Sequence, residues 1–234
     1  SEITAQMDIV PMGQKIAYGF GMLANQMFSA ALGIFMVVLV KDLGFHPWLW
    51  GIIFFLPRVF DAITDPIMGF ISDNTRSRWG RRRPYVFIGA IVTGISYIFM
   101  WQLHPENGMW YNFTYFLLFS FVFYLGLTIF AVPYVAMGYE MSNNFHERTR
   151  LMAVAQWLGQ WAWVIAPWFW VIIYKPNLFL SPDAGSRQLA VWVGLICMGL
   201  ALIPAIFVKS KSTVNADNLK KLNMSNLKNN LKEI

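Results

Sequence analysis

Apolar positions in this chain run in long, nearly unbroken stretches, not in the spaced pattern of a surface helix or the alternation of a half-buried strand. Six such stretches cover about 14–40, 48–72, 84–103, 111–139, 151–174 and 188–208. Each reaches the roughly 20 residues that a helix needs to cross the hydrocarbon core of a bilayer. The pattern predicts an all-α membrane protein with six transmembrane helices. A β-barrel is excluded, because barrel strands are short and alternate. The connections are short, and the most charged of them is DNTRSRWGRRR at 73–83. After residue 208 the chain turns polar, so 1–208 reads as the helical bundle and 209–234 as a polar cytoplasmic linker or tail. Pro57, Pro66, Pro133, Pro167 and Pro204 fall inside the stretches. In a bundle, neighbouring helices can satisfy the carbonyls that proline frees, so helices are expected to continue through them. Gly19, Gly21, Gly126, Gly159 and Gly194 are expected to permit close helix approach.

The informative positions are the polar interruptions. Asp61 and Asp65 lie in the middle of the second stretch. An ionised carboxylate there costs about 3 kcal/mol on insertion scales. Four residues apart, the two share one helix face, and Arg58 joins the same stripe. One arginine cannot neutralise two carboxylates. Such a stripe is tolerated where it faces a wet, protein-lined path. The pair can coordinate a small oxygen-seeking cation such as sodium. It can also share a proton, since two like charges this close resist joint ionisation. Asn25 and Gln26 form a second polar island on the first stretch. Gln156 and Gln160 form a third on the fifth, beside Trp157, Trp161 and Trp163. Amides beside flat aromatic faces suit a neutral polyol ring. Trp168 and Trp170 read as interfacial anchors.

Composition sharpens this reading. Of 234 residues, 57% are hydrophobic and 13% charged, against about 25% charged in a soluble domain. The mean hydropathy is +0.47. The net charge of +6 would suit nucleic acid, but its distribution does not. With the N-terminus placed in the cytoplasm, Lys15, Arg76, Arg78, Arg81, Arg82, Arg83, Arg148, Arg150 and six lysines beyond 208 share that side. Only Lys41, Lys175 and Arg187 lie opposite. This bias of 14 to 3 orients both termini inward. Asp73, Arg76, Arg81, Arg82 and Arg83, with Glu140 and Arg148, are read as a cytoplasmic gate whose ion pairs form and break. Cys197 is a lone apolar-stretch thiol, so no internal disulfide is expected. No nucleophile–base set, metal-ligand cluster or phosphate loop is visible, and no enzyme is expected. No cofactor is expected beyond a sodium ion or proton as coupling ion.

The segment RVFDAITDPIMGFISDNTRSRWGRRRP at 58–84, with KIAYGFG at 15–21, VPY at 132–134 and ERTRL at 147–151, resembles the glycoside–pentoside–hexuronide cation symporters of the major facilitator superfamily. These are the melibiose-permease-like carriers, and the GRRRP end is also similar to sucrose transporters. The resemblance implies that Asp61 and Asp65 match two cation-site aspartates, that Thr128 matches a sodium-site threonine, and that Arg58 matches an arginine near that site, where substrate also binds. Thr64 replaces an asparagine of that site. At the sugar site, Gln26 and Ala131 stand where the family carries aspartates, and Gln156 where it carries an arginine. The resemblance thus implies a largely kept cation site and an altered sugar site; together with the polar islands read above, the candidate substrate residues are Asn25, Gln26, Arg58, Gln156, Trp157, Gln160 and Trp161. It also implies the N-terminal half of the fold, completed by a C-terminal six-helix half or a second copy. Expected partners are a small-molecule sugar and the lipid bilayer, and the expected location is the bacterial inner membrane. A lysophospholipid carrier and a non-transporting assembly or sensing half are the alternatives.

Overall fold

The computed structural model describes residues 9–41 and 43–208. The boundary at 208 and the tail 209–234 proposed from sequence lie outside or at the edge of the described residues. Six long helices follow one another: α1 (Met12–Lys41), α2 (Pro47–Asn74), α3 (Arg83–Met100), α4 (Met109–Glu140), α5 (Phe145–Ile173) and α6 (Pro182–Phe207). A single 3-10 turn, Pro105–Asn107, precedes α4. The described residues contain no strand. Four helices, α1, α3, α4 and α6, are long and apolar enough to cross a membrane on length and composition alone. The two others carry the acid pair, in α2, and two glutamines among five tryptophans, in α5.

The helix starts follow local chemistry. Asn144 accepts the backbone N–H of His146 and caps α5. Ser181 accepts from Ala184 ahead of Pro182, which starts α6. These caps place both starts six residues before the apolar stretches of 151–174 and 188–208. The charged HERTR run, which hydropathy leaves as a connection, is therefore the first turns of α5. Gly80 and Gly108 adopt φ of 103° and 85°, a region glycine enters without strain. They turn the chain before α3 and α4. Pro57, Pro66, Pro133, Pro167 and Pro204 lie within continuous helices, as expected.

The helices pack in the order α2–α4–α3–α6–α1–α5. At the α3–α4 seam a Cβ at Gly89 would strike the backbone of Phe130, and one at Gly126 would meet Thr93. Two small residues thus let the backbones touch. One core cluster holds Phe35, Tyr97, Trp101, Phe116 and Phe123. The Trp101 ring meets Phe35 and Phe116 edge-on, each at 5.1 Å. A second cluster holds Tyr18, Phe130, Tyr134, Leu151 and Ala205. There α1 and α4 are clasped reciprocally. The Tyr18 hydroxyl donates to the Tyr134 carbonyl at 3.2 Å, and the Tyr134 hydroxyl donates to the Tyr18 carbonyl. The rings stack 4.4 Å apart, and Gly138 and Gly21 make room for them.

Candidate cation and solute site

One turn of α2 separates Asp61 from Asp65, and both reach toward α4. The buried Thr128 hydroxyl lies 2.9 Å from Asp65 Oδ1 and 3.4 Å from Asp61 Oδ1. It has one proton, so it can donate to only one carboxylate at a time. Among the described residues neither aspartate forms an ion pair, and Arg58 pairs with neither. The result is a cluster of hard oxygen donors with no cation in ion-pair contact among the described residues, Arg58 acting on Asp61 only from a longer distance. That set suits sodium or a shared proton better than a softer metal. No group of three or more His, Cys, Asp or Glu side chains among the described residues could hold a metal ion. Thr64 stands apart. Its hydroxyl donates to the carbonyls of Phe60 and Asp61 on its own helix, at 3.1 and 3.4 Å.

The acid pair opens on a cleft of about 550 Å³ between α2, α4 and α1. Asn25 reaches it from α1, and Leu127, Ala131, Val135 and Tyr139 wall it along α4. Tyr139 also walls a second cleft of about 560 Å³, with Phe145, Arg148, Met152 and Gln156. Gln26, the next residue after Asn25, turns the other way, toward α5. There the Trp163 indole N–H donates to Gln26 Oε1 at 3.0 Å. Gln156, Gln160 and Trp163 recur at helical spacing along one face of α5. Trp157 and Trp161 do not share it. They meet each other edge-on at 5.9 Å, are exposed, and line neither cleft. The structure therefore divides the aromatic–amide constellation read from the fifth stretch, with Trp163 on the glutamine side. The spacing of three from Gln160 is the signal for it.

The basic end of the bundle carries the residues read as a gate. Arg82 is buried and makes bonds to three partners: Glu140 at 2.9 Å, the Ser72 hydroxyl at 3.1 Å and Asp73 at 2.5 Å. Arg81 adds a 3.2 Å pair to the same Glu140 oxygen. Asp73, Arg81, Arg82 and Glu140 thus form one network across α2, α3 and α4. The rest sit elsewhere. Arg83 donates to the Ala205 and Ile206 carbonyls at the end of α6, Arg76 is exposed in the α2–α3 connection, and Arg148 is on the second cleft. A second network has no counterpart in the gate reading. Buried Glu147 takes Lys15 at 3.2 Å, Arg150 at 2.8 Å and the Val10 backbone N–H at 3.2 Å. It ties the start of α5 to the start of α1. The sequence shows Glu147 in its basic run, but Lys15 lies 132 positions away and nothing local marks it as the partner.

The family model for MFS/sugar transport proteins matches residues 17–234. Among curated relatives, an uncharacterized symporter of Synechocystis sp. is 35% identical over 143 residues, covering 58% of this chain and 26% of the relative. The inner membrane symporter YicJ of Escherichia coli is 30% identical over 160 residues, covering 68% of this chain and 33% of the relative. The sodium-dependent lysophosphatidylcholine symporter 1-A of Danio rerio is 33% identical over 139 residues, covering 57% of this chain and 25% of the relative. The chain thus spans about a quarter to a third of the length of these relatives. Four helices long and apolar enough to cross a membrane, together with the family match, make it an integral membrane protein. The resemblance read from the second-helix motif holds at the level of the family, and the chain belongs to the MFS/sugar transport proteins of the major facilitator superfamily.

Proposed function

We propose that this chain is the N-terminal half of a cation-coupled symporter, with the coupling ion held by Asp61, Asp65 and Thr128. The observation that carries the reading is a buried hydroxyl placed between two carboxylates that form no ion pair among the described residues. A sodium ion or proton there cancels the repulsion between the aspartates and draws α2 toward α4 through Thr128. Asn25 brings α1 to the same cleft, so loading the ion also orders α1. The neutral solute binds on the α1–α5 side, at Gln26, Trp163, Gln156 and Gln160, with α1 linking it to the ion. The ion's preference for the solute-loaded form is the coupling free energy. A second six-helix half closes the cavity, and the two halves rock about it. The bias of positive charge supports an orientation with both termini in the cytoplasm, and the inner membrane symporter among the relatives supports a bacterial inner membrane.

A sugar or similar uncharged solute fits the amides, and the family's description points to sugars. The second reading, a lysolipid, rests on the apolar α4 wall of the cleft and on the lysophosphatidylcholine symporters among the relatives. The test is cation-driven uptake by the full-length transporter, with disaccharides and lysophosphatidylcholine as competitors. Asp61→Asn and Asp65→Asn should each weaken cation activation by about 10- to 100-fold, the loss of a charge-assisted contact. Full cation-driven uptake by both variants would sink the proposal.

A further inference from the structure

The Trp163–Gln26 bond has a consequence for which solutes the site accepts. An indole nitrogen only donates hydrogen bonds. The 3.0 Å contact therefore fixes the Gln26 amide with its oxygen on Trp163. The Gln26 nitrogen is left with no stronger partner than the Met22 sulfur, 3.9 Å away. One N–H donates weakly to that sulfur, and the other is available on the α1–α5 side of the bundle. A free glutamine amide would present donor or acceptor equally, but here only the donor face is offered. Gly159 sits against Met22 and Gln26, where a Cβ would crowd both side chains. This close approach of α5 to α1 brings the indole into reach. The Trp163 ring remains half exposed, so a flat face stands beside the donor. Along the same face of α5, Gln160 and Gln156 add further amides.

Resting on the symport reading above, we propose that Trp163 is a positioning and specificity-determining residue: it locks Gln26 donor-outward, so that the site selects uncharged, oxygen-rich ring solutes that accept a hydrogen bond from Gln26 and lie against the indole. Few, well-aimed polar groups beside an apolar surface are what orient small ligands. Misdirecting one of them leaves a ligand oxygen facing a carbonyl oxygen, a loss of roughly tenfold or more in affinity.

The experiment uses the full-length transporter purified in detergent. Thermal stabilisation and tryptophan emission are titrated with sodium, with a panel of methyl glycosides and disaccharides, and with lysophosphatidylcholine. The wild type should respond saturably to at least one neutral sugar. Trp163→Phe keeps a flat ring but removes the N–H, and should weaken that response about tenfold while leaving the sodium response intact. Gln26→Glu keeps an acceptor for the indole but removes the N–H donors, and should lose the sugar response as well. It keeps the question answerable if the first variant is unstable. A sugar response unchanged in both variants overturns the inference and leaves the symport reading standing. A response to lysophosphatidylcholine alone, or to no probe, overturns the solute class and the inference with it. Loss of the sodium response in Asp61→Asn tests the symport reading separately.

Discussion

Two sets of carboxylates in this bundle have opposite surroundings. At the basic end, Asp73, Glu140 and Glu147 each meet an arginine or lysine at 2.5 to 3.2 Å. In the middle of α2, Asp61 and Asp65 share the Thr128 hydroxyl and form no ion pair among the described residues, Arg58 acting on Asp61 only from beyond ion-pair distance. The paired carboxylates join helices: Asp73 and Glu140 hold α2 and α4 to α3 through Arg82, and Glu147 holds α5 to α1 through Lys15. The unpaired ones join nothing permanently. A charge kept within an apolar helix without a partner is costly to the fold, and such residues mark ion pathways. The contrast separates charges that fasten the bundle from charges that, on the proposed function, a coupling ion completes.

Neutralising each set should therefore have opposite effects, and the acid pair gives the largest one. Asp61→Asn and Asp65→Asn should remove most cation activation yet leave the melting temperature in detergent unchanged or slightly raised, because repulsion between like charges is relieved. Melting points that fall by many degrees in both variants would make the pair structural and erase the contrast. Glu147→Gln should do the reverse. It leaves Lys15 buried with no carboxylate, and breaking a buried pair from one side is strongly destabilising, so the melting temperature should drop by about 5–10 °C. Cation affinity in the surviving protein should change little. A variant as stable as wild type would show that the Lys15–Glu147 bond is not a fastening.

Thr128 sharpens the comparison at smaller scale. Thr128→Val keeps the shape and removes the hydroxyl that, among the described residues, reaches the two aspartates. Cation activation should weaken several-fold, about one hydrogen bond's worth, and Thr128→Ser should restore most of it. If the valine variant binds cation normally, the hydroxyl positions α4 against α2 without serving the ion.

Much of this was legible in the sequence because the bilayer imposes a simple rule. Long apolar stretches predict helices, and the six helices lie where hydropathy puts them. Their starts were less legible: Asn144 and Ser181 begin α5 and α6 among polar residues, and hydropathy does not see caps. The acid pair was legible because two carboxylates in such a stretch need a reason. Thr128 came only from a resemblance; by itself a threonine in an apolar helix is unremarkable, and its role depends on α2 packing on α4. The separation of Trp157 and Trp161 from the glutamines is a matter of about 100° per residue around α5, visible once the helix is drawn but hidden in a cluster of adjacent letters. Lys15–Glu147 and Tyr18–Tyr134 were not legible, because they join residues more than a hundred positions apart.

The Tyr18–Tyr134 clasp gives the smallest expected effect and the finest test of how α1 and α4 are held. Each hydroxyl is buried and donates to the other tyrosine's carbonyl. Tyr18→Phe or Tyr134→Phe removes one bond and keeps the ring stack, so each should cost about 1 kcal/mol. The double variant decides whether the two bonds act as one unit. If the first loss already loosens the seam, the second costs less, and the double falls short of the sum by at least 0.5 kcal/mol. Strict additivity would mean two independent bonds that happen to be neighbours. A coupled pair would mean that α1, carrying Asn25 and Gln26, and α4, carrying Thr128, shift together or not at all. Then an ion that moves Thr128 also moves the solute's amides, which is the property that neither the paired carboxylates of the basic end nor the free ones of α2 supply alone.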